Sequence, residues 1–222
     1  MDIDDKSTAI EEIAAAIAHE VKNPLTMINA NLDILEAGDN RSSANNNYAM
    51  MRRELNKIND IMIDFIHLTQ KNTHSKDIIY LPDILRNVLE NIQYALPDVV
   101  IKIDCPDNDL AIFGHENSIV ILLNNIIKNA LEAMDFSGKL EVEISRRDNM
   151  PYISIADNGK GLTDENKENI FTKYFTTKSA GSGLGLSICR KIAEDHGGSI
   201  SLFQRAEGGC IATVTFPEIF TQ

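Results

Sequence analysis

Much that would assign a chain of 222 residues is missing from this one. No stretch approaches the ~20 consecutive apolar residues that a membrane-crossing helix needs, so none of it is expected to span a bilayer. The opening "MDIDDKSTAIEE" has neither a basic cluster nor an apolar core, which excludes a secretory signal there. Basic residues are outnumbered 33 to 21, a formal net charge of -12. That balance argues against nucleic acid as a partner, since binding a phosphate backbone needs basic surface. Cysteine is scarce: Cys105, Cys189 and Cys210 are widely spaced and form no C-x-x-C. They fit structural thiols in a reducing cytoplasm, and none has the surroundings of a nucleophile. No internal repeat is present.

What is there divides into two halves. From about Ser7 to Ala37, apolar residues recur at helical spacing: Ile10, Ile13, Ile17, Val21, Leu25, Ile28, Leu32 and Leu35. "AGDNRSSANNN", residues 37–47, is rich in turn formers and reads as a loop. A second helix is expected from about Tyr48 to Gln70, carrying Met51, Leu55, Ile58, Met62, Phe65 and Leu68. Two helices bury too little surface alone, and the seven-residue rhythm suggests a homodimer in which two hairpins form a four-helix bundle. Domain boundaries follow at 1–72 and 73–222.

After the polar "KNTHSKD" the pattern alternates. "DIIYL", "VVIKIDC", "LAIFG", "GKLEVEISRR", "PYISIAD", "SISLFQR" and "CIATVTFP" read as strands, with "GKLEVEISRR" and "PYISIAD" alternating as a pair. "PDILRNVLENIQYAL", "ENSIVILLNNIIKNALEAM" and "GLGLSICRKIAEDHGG" read as helices, the last stopped by Gly197 and Gly198. Strands with helices gathered on one face make an α/β sandwich, so the whole chain is an α+β protein.

Four stretches of the second half could share one site. In "NNIIKNALEAM", Asn125 and Asn129 are four apart and lie on one helix face, with Glu132 nearby. In "ADNGKG", Asp157 ends an apolar strand and can accept an N–H such as the exocyclic amine of adenine. Gly159 and Gly161 then permit close backbone approach. "FTKYFTTKSAG" supplies aromatic anchors at Phe171 and Phe175 and cations at Lys173 and Lys178. "GSGLGLS" leads glycines into a helix whose first N–H groups suit phosphate. Each has a plainer reading: a satisfied core asparagine, an ordinary turn, a solvated loop. "GSGLGL" is neither a Walker loop nor a dinucleotide fingerprint, since Leu186 stands where the third glycine would be.

Upstream lies "AHEVKNPLT". Pro24 sits inside an otherwise good helix and removes the hydrogen bond to the Glu20 carbonyl, beside His19. "HExxN" lacks the second histidine of a zinc protease, because position 23 is Asn. The ring of His19, beside the apolar stripe rather than within it, is expected to face solvent. His67, His74, His115 and His196 lie in no motif and read as structural or surface residues.

In this order the stretches resemble the sensor histidine kinases of two-component signalling. "HEVKNP" is similar to their H box, "NNIIKNALEAM" to the N box, "DNGKG" to G1, "FTKYF" to the F box and "GSGLGL" to G2. The likeness runs from about Ile10 to Pro217. The lid looks most like the nitrogen-regulatory and sporulation types, and the second half resembles the ATPase fold shared with gyrase and a heat-shock chaperone. The resemblance implies an ATP-dependent protein-histidine kinase, a phosphoprotein modified at His19. The phosphoryl group would pass to an aspartate of a response-regulator receiver docked near His19. Glu20 would accept the other ring N–H, and Asn23 would orient a water for dephosphorylating the regulator. Asn129 would hold Mg²⁺ beside Asn125, with Lys128 or Lys178 near the phosphates and Lys173 among the other nucleotide-binding residues. Asp157, Gly159 and Gly161 would take the base, and Tyr174, Phe175, Gly181, Ser182, Gly183, Leu184, Gly185 and Leu186 would close over the nucleotide. Thr213 would help through water. Met27 and Met62 are candidates for receiver docking, although a core role is the plainer expectation for both. The location implied is cytoplasmic, with a sensor domain lying before residue 7 or absent. The competing readings are a phosphotransfer scaffold with a degenerate ATP domain and a protein acting mainly as a phosphatase.

Overall fold

A computed structural model describes residues 3–36, 44–69, 76–163, 169–172, 175–176 and 183–218. The chain falls into two compact units, Met1–Lys71 and Asn72–Gln222.

The first unit is a helical hairpin. α1 runs Ile3–Glu36 and α2 runs Ala44–Thr69. α1 continues through Pro24, whose ring is buried. Ile17, Pro24 and Asn31 repeat every seventh residue as buried positions, with Val21, Ile28 and Leu35 half-buried between them. On α2, Asn47, Met51 and Ile61 are buried, and Ile58 is half-buried. Ile17 and Ile61 meet in the seam, with Val21 packed against them. Burying one such isoleucine contributes about 1.5–3 kcal/mol. The second helix begins earlier than its asparagine-rich start suggests. Residues 44–47 are helical rather than part of the loop, because Asn47 is packed into the seam and tertiary burial overrides propensity. Asn31 Nδ2 donates to the Met27 carbonyl at 2.7 Å. Asn47 Nδ2 is the one buried side-chain polar atom without a hydrogen bond among the described residues. The methionines correct another expectation, since within the chain Met27 is 45% exposed and Met62 42%.

The second unit contains β1 (Asp77–Tyr80), α3 (Leu81–Ala95), β2 (Val99–Asp104), β3 (Ala111–Gly114), α4 (Glu116–Ala133), β4 (Gly138–Arg147), β5 (Met150–Asp157), α5 (Gly185–Asp195), β6 (Ser199–Gln204) and β7 (Cys210–Thr215). β1 and β3 form a small antiparallel sheet. The main sheet has the order β2-β4-β5-β7-β6, parallel only between β2 and β4. β4 and β5 are joined by Asp148 and Asn149, both with positive φ (50° and 64°), the requirement of a two-residue type I′ turn.

Alternation along the strands sends Leu140, Val142, Ile144, Ile153, Ile155, Ala212 and Val214 to one face, where they are buried. The three helices cover that face. β5 does not show the alternation expected of it: Pro151 to Asp157 are all buried. It is the central strand, Arg147 lies 3.7 Å over the Tyr152 ring, and Ser154 and Ala156 sit low between the residues of β4 and β7. α5 ends as its glycines demand. The Gly197 N–H donates to Glu194 O at 2.9 Å and the Gly198 N–H to Ala193 O at 2.8 Å, with Gly197 at φ +74°, which is a Schellman stop.

Candidate functional site

α4 organises the site. One side of it supplies Ile119, Leu122, Leu123, Ile126, Ile127, Ala130 and Leu131 to the core. Asn125 and Asn129, one turn apart on another side, are half-buried, and Lys128 is exposed. Two other segments are pressed onto this helix. Gly185, the first residue of α5, lies so near Asn125 that a Cβ there would stand 2.9 Å from Asn125 Oδ1. One turn beyond Asn129, the Ala133 carbonyl accepts the Lys160 N–H at 3.0 Å, and a Cβ on Gly159 would stand 2.3 Å from that same oxygen. The structure thus brings the paired asparagines, the start of the last helix and the loop after β5 together on one helix.

Asp157 ends β5 on the helix-covered face and is 4% exposed. Its Oδ1 accepts the Gly159 N–H at 2.8 Å and the Cys210 N–H at 3.2 Å. Burial pushes its carboxyl above the ordinary value, and those two N–H groups and the Arg205 charge oppose the rise. Gly161 (φ +74°) leaves room for the Gln204 carboxamide, which accepts the Leu162 N–H.

At the other end of the site, Gly183 takes φ +67° and Leu184, fully buried, is the residue before α5. The Leu184 carbonyl accepts the Ile188 N–H at 2.9 Å and the Ser187 hydroxyl at 2.8 Å. Gly185 and Leu186 open the helix, so their N–H groups have no carbonyl four residues back within it. The aromatic stretch is tied to the same helix: the Arg190 guanidinium lies 4.3 Å over the Phe171 ring. Phe175 is half-buried, and its N–H donates to Thr172 O at 3.2 Å. Lys173, Tyr174, Lys178, Gly181, Ser182 and His74 lie outside the described residues, as do the side chains of His19, Glu20 and His67. Asn23 is exposed on α1, four residues after His19.

Thr213 is not brought to this site. It pairs with Ser154 and Ser201 on the uncovered face of the sheet, opposite to Asp157, because strand residues an odd number apart point to opposite faces. The β7 residue beside Asp157 is Cys210, three positions earlier. Its thiol is pushed up to about 11 by burial, then by the Asp157 charge. Sequence reasoning also passed over Arg190, Gln204 and Arg205, which belong to none of the recognisable stretches. His196 proves to be buried and structural: its Nε2 accepts the His115 N–H at 3.0 Å, and its Nδ1 lies 2.7 Å from Ile192 O.

Asn129, half-buried on the same side of α4 as Asn125, carries an amide oxygen, a donor type that a magnesium ion accepts. No cluster of three His, Cys, Asp or Glu residues occurs among the described residues. No helix among the described residues is long and apolar enough to cross a membrane.

Comparison with known proteins agrees with this geometry. The family described as "Histidine kinase-, DNA gyrase B-, and HSP90-like ATPase" matches residues 114–219. The family described as "His Kinase A (phospho-acceptor) domain" matches residues 9–74. Sporulation kinase D of Bacillus subtilis is 29% identical over 96% of this chain and 42% of its own length. Sensor histidine kinase ZraS of Escherichia coli is 27% identical over 98% of this chain and 48% of its own. The chain therefore spans about half the length of these curated relatives. Among solved structures, the catalytic domain of histidine kinase ThkA is 30% identical, with a TM-score of 0.61 over 65% of this chain and 97% of that one. ThkA in complex with its response regulator TrrA gives 25% identity and a TM-score of 0.81 over 97% of this chain and 64% of that one. The chain belongs to the sensor histidine kinases of two-component signalling, with a phospho-acceptor helical hairpin followed by a gyrase-type ATPase domain.

Proposed function

We propose that this chain is an ATP-dependent protein-histidine kinase that phosphorylates His19 and passes the phosphoryl group to an aspartate of a response-regulator receiver. The observation that carries this is the convergence on α4: Gly185 against Asn125 at one point and Gly159 against Ala133 at the other, with buried Asp157 behind. Domain 73–222 would bind the nucleotide and domain 1–72 would dimerise and accept the phosphate. Asp157 would accept the exocyclic amine of adenine, Lys128 would face the phosphates, and the N–H groups opening α5 would receive phosphate oxygens. Asn129, with Asn125 close by, would hold Mg²⁺, which supplies charge neutralisation on the phosphates when bound.

In the transfer, a neutral imidazole nitrogen of His19 forms the N–P bond as the bond from the γ-phosphorus to the bridging oxygen breaks, and ADP leaves. Glu20 holds the other ring N–H and so fixes the tautomer. The ring proton goes to solvent after phosphorylation. Asn23, exposed one turn on, supports the further reading that the same face dephosphorylates the regulator by orienting a water. The location this implies is cytoplasmic.

The hairpin leaves two apolar flanks bare. Leu25 and Leu32 on α1, and Tyr48, Leu55 and Met62 on α2, are exposed and repeat every seventh residue. They would bury against a second copy to complete a four-helix bundle. Met27 and Ile34, also seven apart and exposed, lie on the other flank of α1 and would remain for the receiver.

The test is transfer from γ-labelled ATP. Label should appear on the protein in an acid-labile, base-stable form and be absent from His19→Gln, whereas equal labelling of that variant overturns the proposal. Asn23→Ala should lose regulator dephosphorylation and keep His19 labelling. Leu25→Glu with Leu55→Glu should sediment as a monomer where the parent is a dimer.

A further inference from the structure

The turn that carries the chain from β6 into β7 reaches back to the loop after β5 and touches it at both ends. At the near end, Arg205 Nη1 donates to the Asp157 carbonyl at 3.1 Å while Nη2 donates to Glu141 Oε2 at 2.9 Å. Glu141 is held in turn by Lys139 Nζ at 2.7 Å. At the far end, Gln204 Oε1 accepts the Leu162 N–H. Gly161 lies between these contacts, and any side chain there would collide with the Gln204 carboxamide, since a Cβ would stand 2.5 Å from both Nε2 and Oε1. The last residues of the turn add two more contacts. Gly209 (φ +82°) is pressed so close that a Cβ would stand 2.0 Å from the Asp157 carbonyl oxygen, and the Cys210 N–H reaches Asp157 Oδ1. Closure of the turn by the Arg205 N–H on Gly209 O (3.0 Å) fixes these groups relative to one another.

From this the geometry assigns Gln204 and Arg205 the role of positioning residues that clamp the Asp157–Leu162 loop, so that the Asp157 carboxylate meets the purine edge in one orientation and selects adenine over guanine. The assignment rests on the proposed reading of Asp157 as the adenine acceptor. A carboxylate attracts the 6-amino group of adenine and repels the 6-oxygen that guanine carries at the same place. That discrimination survives only while the carboxylate cannot turn away. Both backbone bonds to the carboxylate fall on Oδ1, one from within the loop and one from the turn, so its orientation depends on the two segments keeping their spacing. The Arg205 bond to the Asp157 carbonyl is charge-assisted and partly shielded, with only 24% of the arginine side chain exposed.

The experiment is calorimetric titration of the full chain with ADP and with GDP in magnesium buffer, together with the autophosphorylation kcat at saturating ATP. Arg205→Met should weaken ADP about tenfold and leave kcat and GDP affinity within about twofold, as expected for losing one charge-assisted bond that matters only to the correct base. Arg205→Lys, which keeps a cation near the Asp157 carbonyl, should restore most of the ADP affinity. Gln204→Met should shift ADP against GDP in the same direction, and it carries the test if Arg205→Met does not fold by thermal unfolding. Equal losses for ADP and GDP, a fall in kcat with ADP affinity intact, or no change in either variant overturns the assignment. Asp157→Asn separates the two layers. If it binds ADP as the parent does, the adenine reading itself fails. If it loses ADP while the Gln204 and Arg205 variants stay normal, the clamp alone is wrong.

Discussion

Replacing Gly185 with alanine should separate nucleotide binding from folding. Gly185 is the first residue of α5 and takes no left-handed conformation, so alanine is tolerated by the backbone and improves helix propensity by at most ~1 kcal/mol. Its Cβ would stand 2.9 Å from Asn125 Oδ1 and 3.6 Å from Asn125 Cγ. The atom it meets is the end of a rotatable side chain, so Asn125 can swing aside for roughly 0.5–1.5 kcal/mol of rotamer strain. These two terms nearly cancel, and the unfolding midpoint should move by less than about 4 °C. The displaced amide, however, no longer stands where the nucleotide would meet it, and losing one hydrogen bond to a charged ligand weakens Mg-ADP by roughly tenfold to a hundredfold. Gly159→Ala is the contrast. Its Cβ would stand 2.3 Å from the Ala133 carbonyl oxygen, a backbone atom that cannot rotate away, and the Lys160 N–H bond to that oxygen would have to give. That variant should lose about 2–4 kcal/mol of stability. Thermal unfolding with and without Mg-ADP, plus calorimetric titration, reads both. If Gly185→Ala binds Mg-ADP as tightly as the parent, Asn125 is not at the nucleotide. If Gly159→Ala melts with the parent, the loop does not rest on α4 as described.

Three further outcomes follow from buried polar groups. Burial, above all, holds the His196 imidazole below the ordinary histidine value, with Lys76 and His115 adding to the depression while the Ile192 carbonyl and Asp195 oppose it. The unfolded chain then binds a proton near pH ~6.5 and the folded one only lower, so stability is full above that pH and falls below it by up to about 1.4 kcal/mol per unit. Denaturant titrations of the parent and His196→Asn from pH 7.5 to 5 should show a shallower decline in the variant, and equal slopes would count against the assignment. Asn47→Leu removes an unpartnered amide from the helical seam and should raise the hairpin's midpoint by several degrees, while a lower midpoint would mean that Nδ2 finds a partner in solution. Cys210, with its thiol pushed up to about 11, should resist iodoacetamide at pH 8 far longer than in the denatured chain, as mass spectrometry of the Cys210 peptide would reveal.

The helices and strands were largely legible because their periodicity is a direct record of which face is buried. Three failures share a cause. The Asn45–Asn46–Asn47 run reads as a loop from its residue types, yet the buried place of Asn47 in the seam makes it helical. β5 has an alternating pattern in part, but its central position buries both faces. Family likeness implies a place at the site for Thr213, while two-residue alternation puts Cys210 there instead. In each case the deciding fact is a neighbour distant in sequence. The same holds for Gln204 and Arg205: their role comes from a turn folded back on Asp157, nearly fifty residues earlier, and no local spacing encodes it. Asp157, Gly159 and the asparagines of α4 stand out in the sequence because each sits in a short stretch with its own spacing, Asp-x-Gly-x-Gly after a strand and two asparagines four apart on one helix.

α4 is shared property. The residues that fill the domain interior and the asparagines proposed to meet the nucleotide ride on the same few turns, so neither set can be rotated or slid without carrying the other along. Changes in nucleotide handling are therefore less disruptive outside it, at the turn between β6 and β7 that reaches the loop after β5. An engineer seeking altered substrate choice has freer hands at Gln204 or Arg205 than at Asn125.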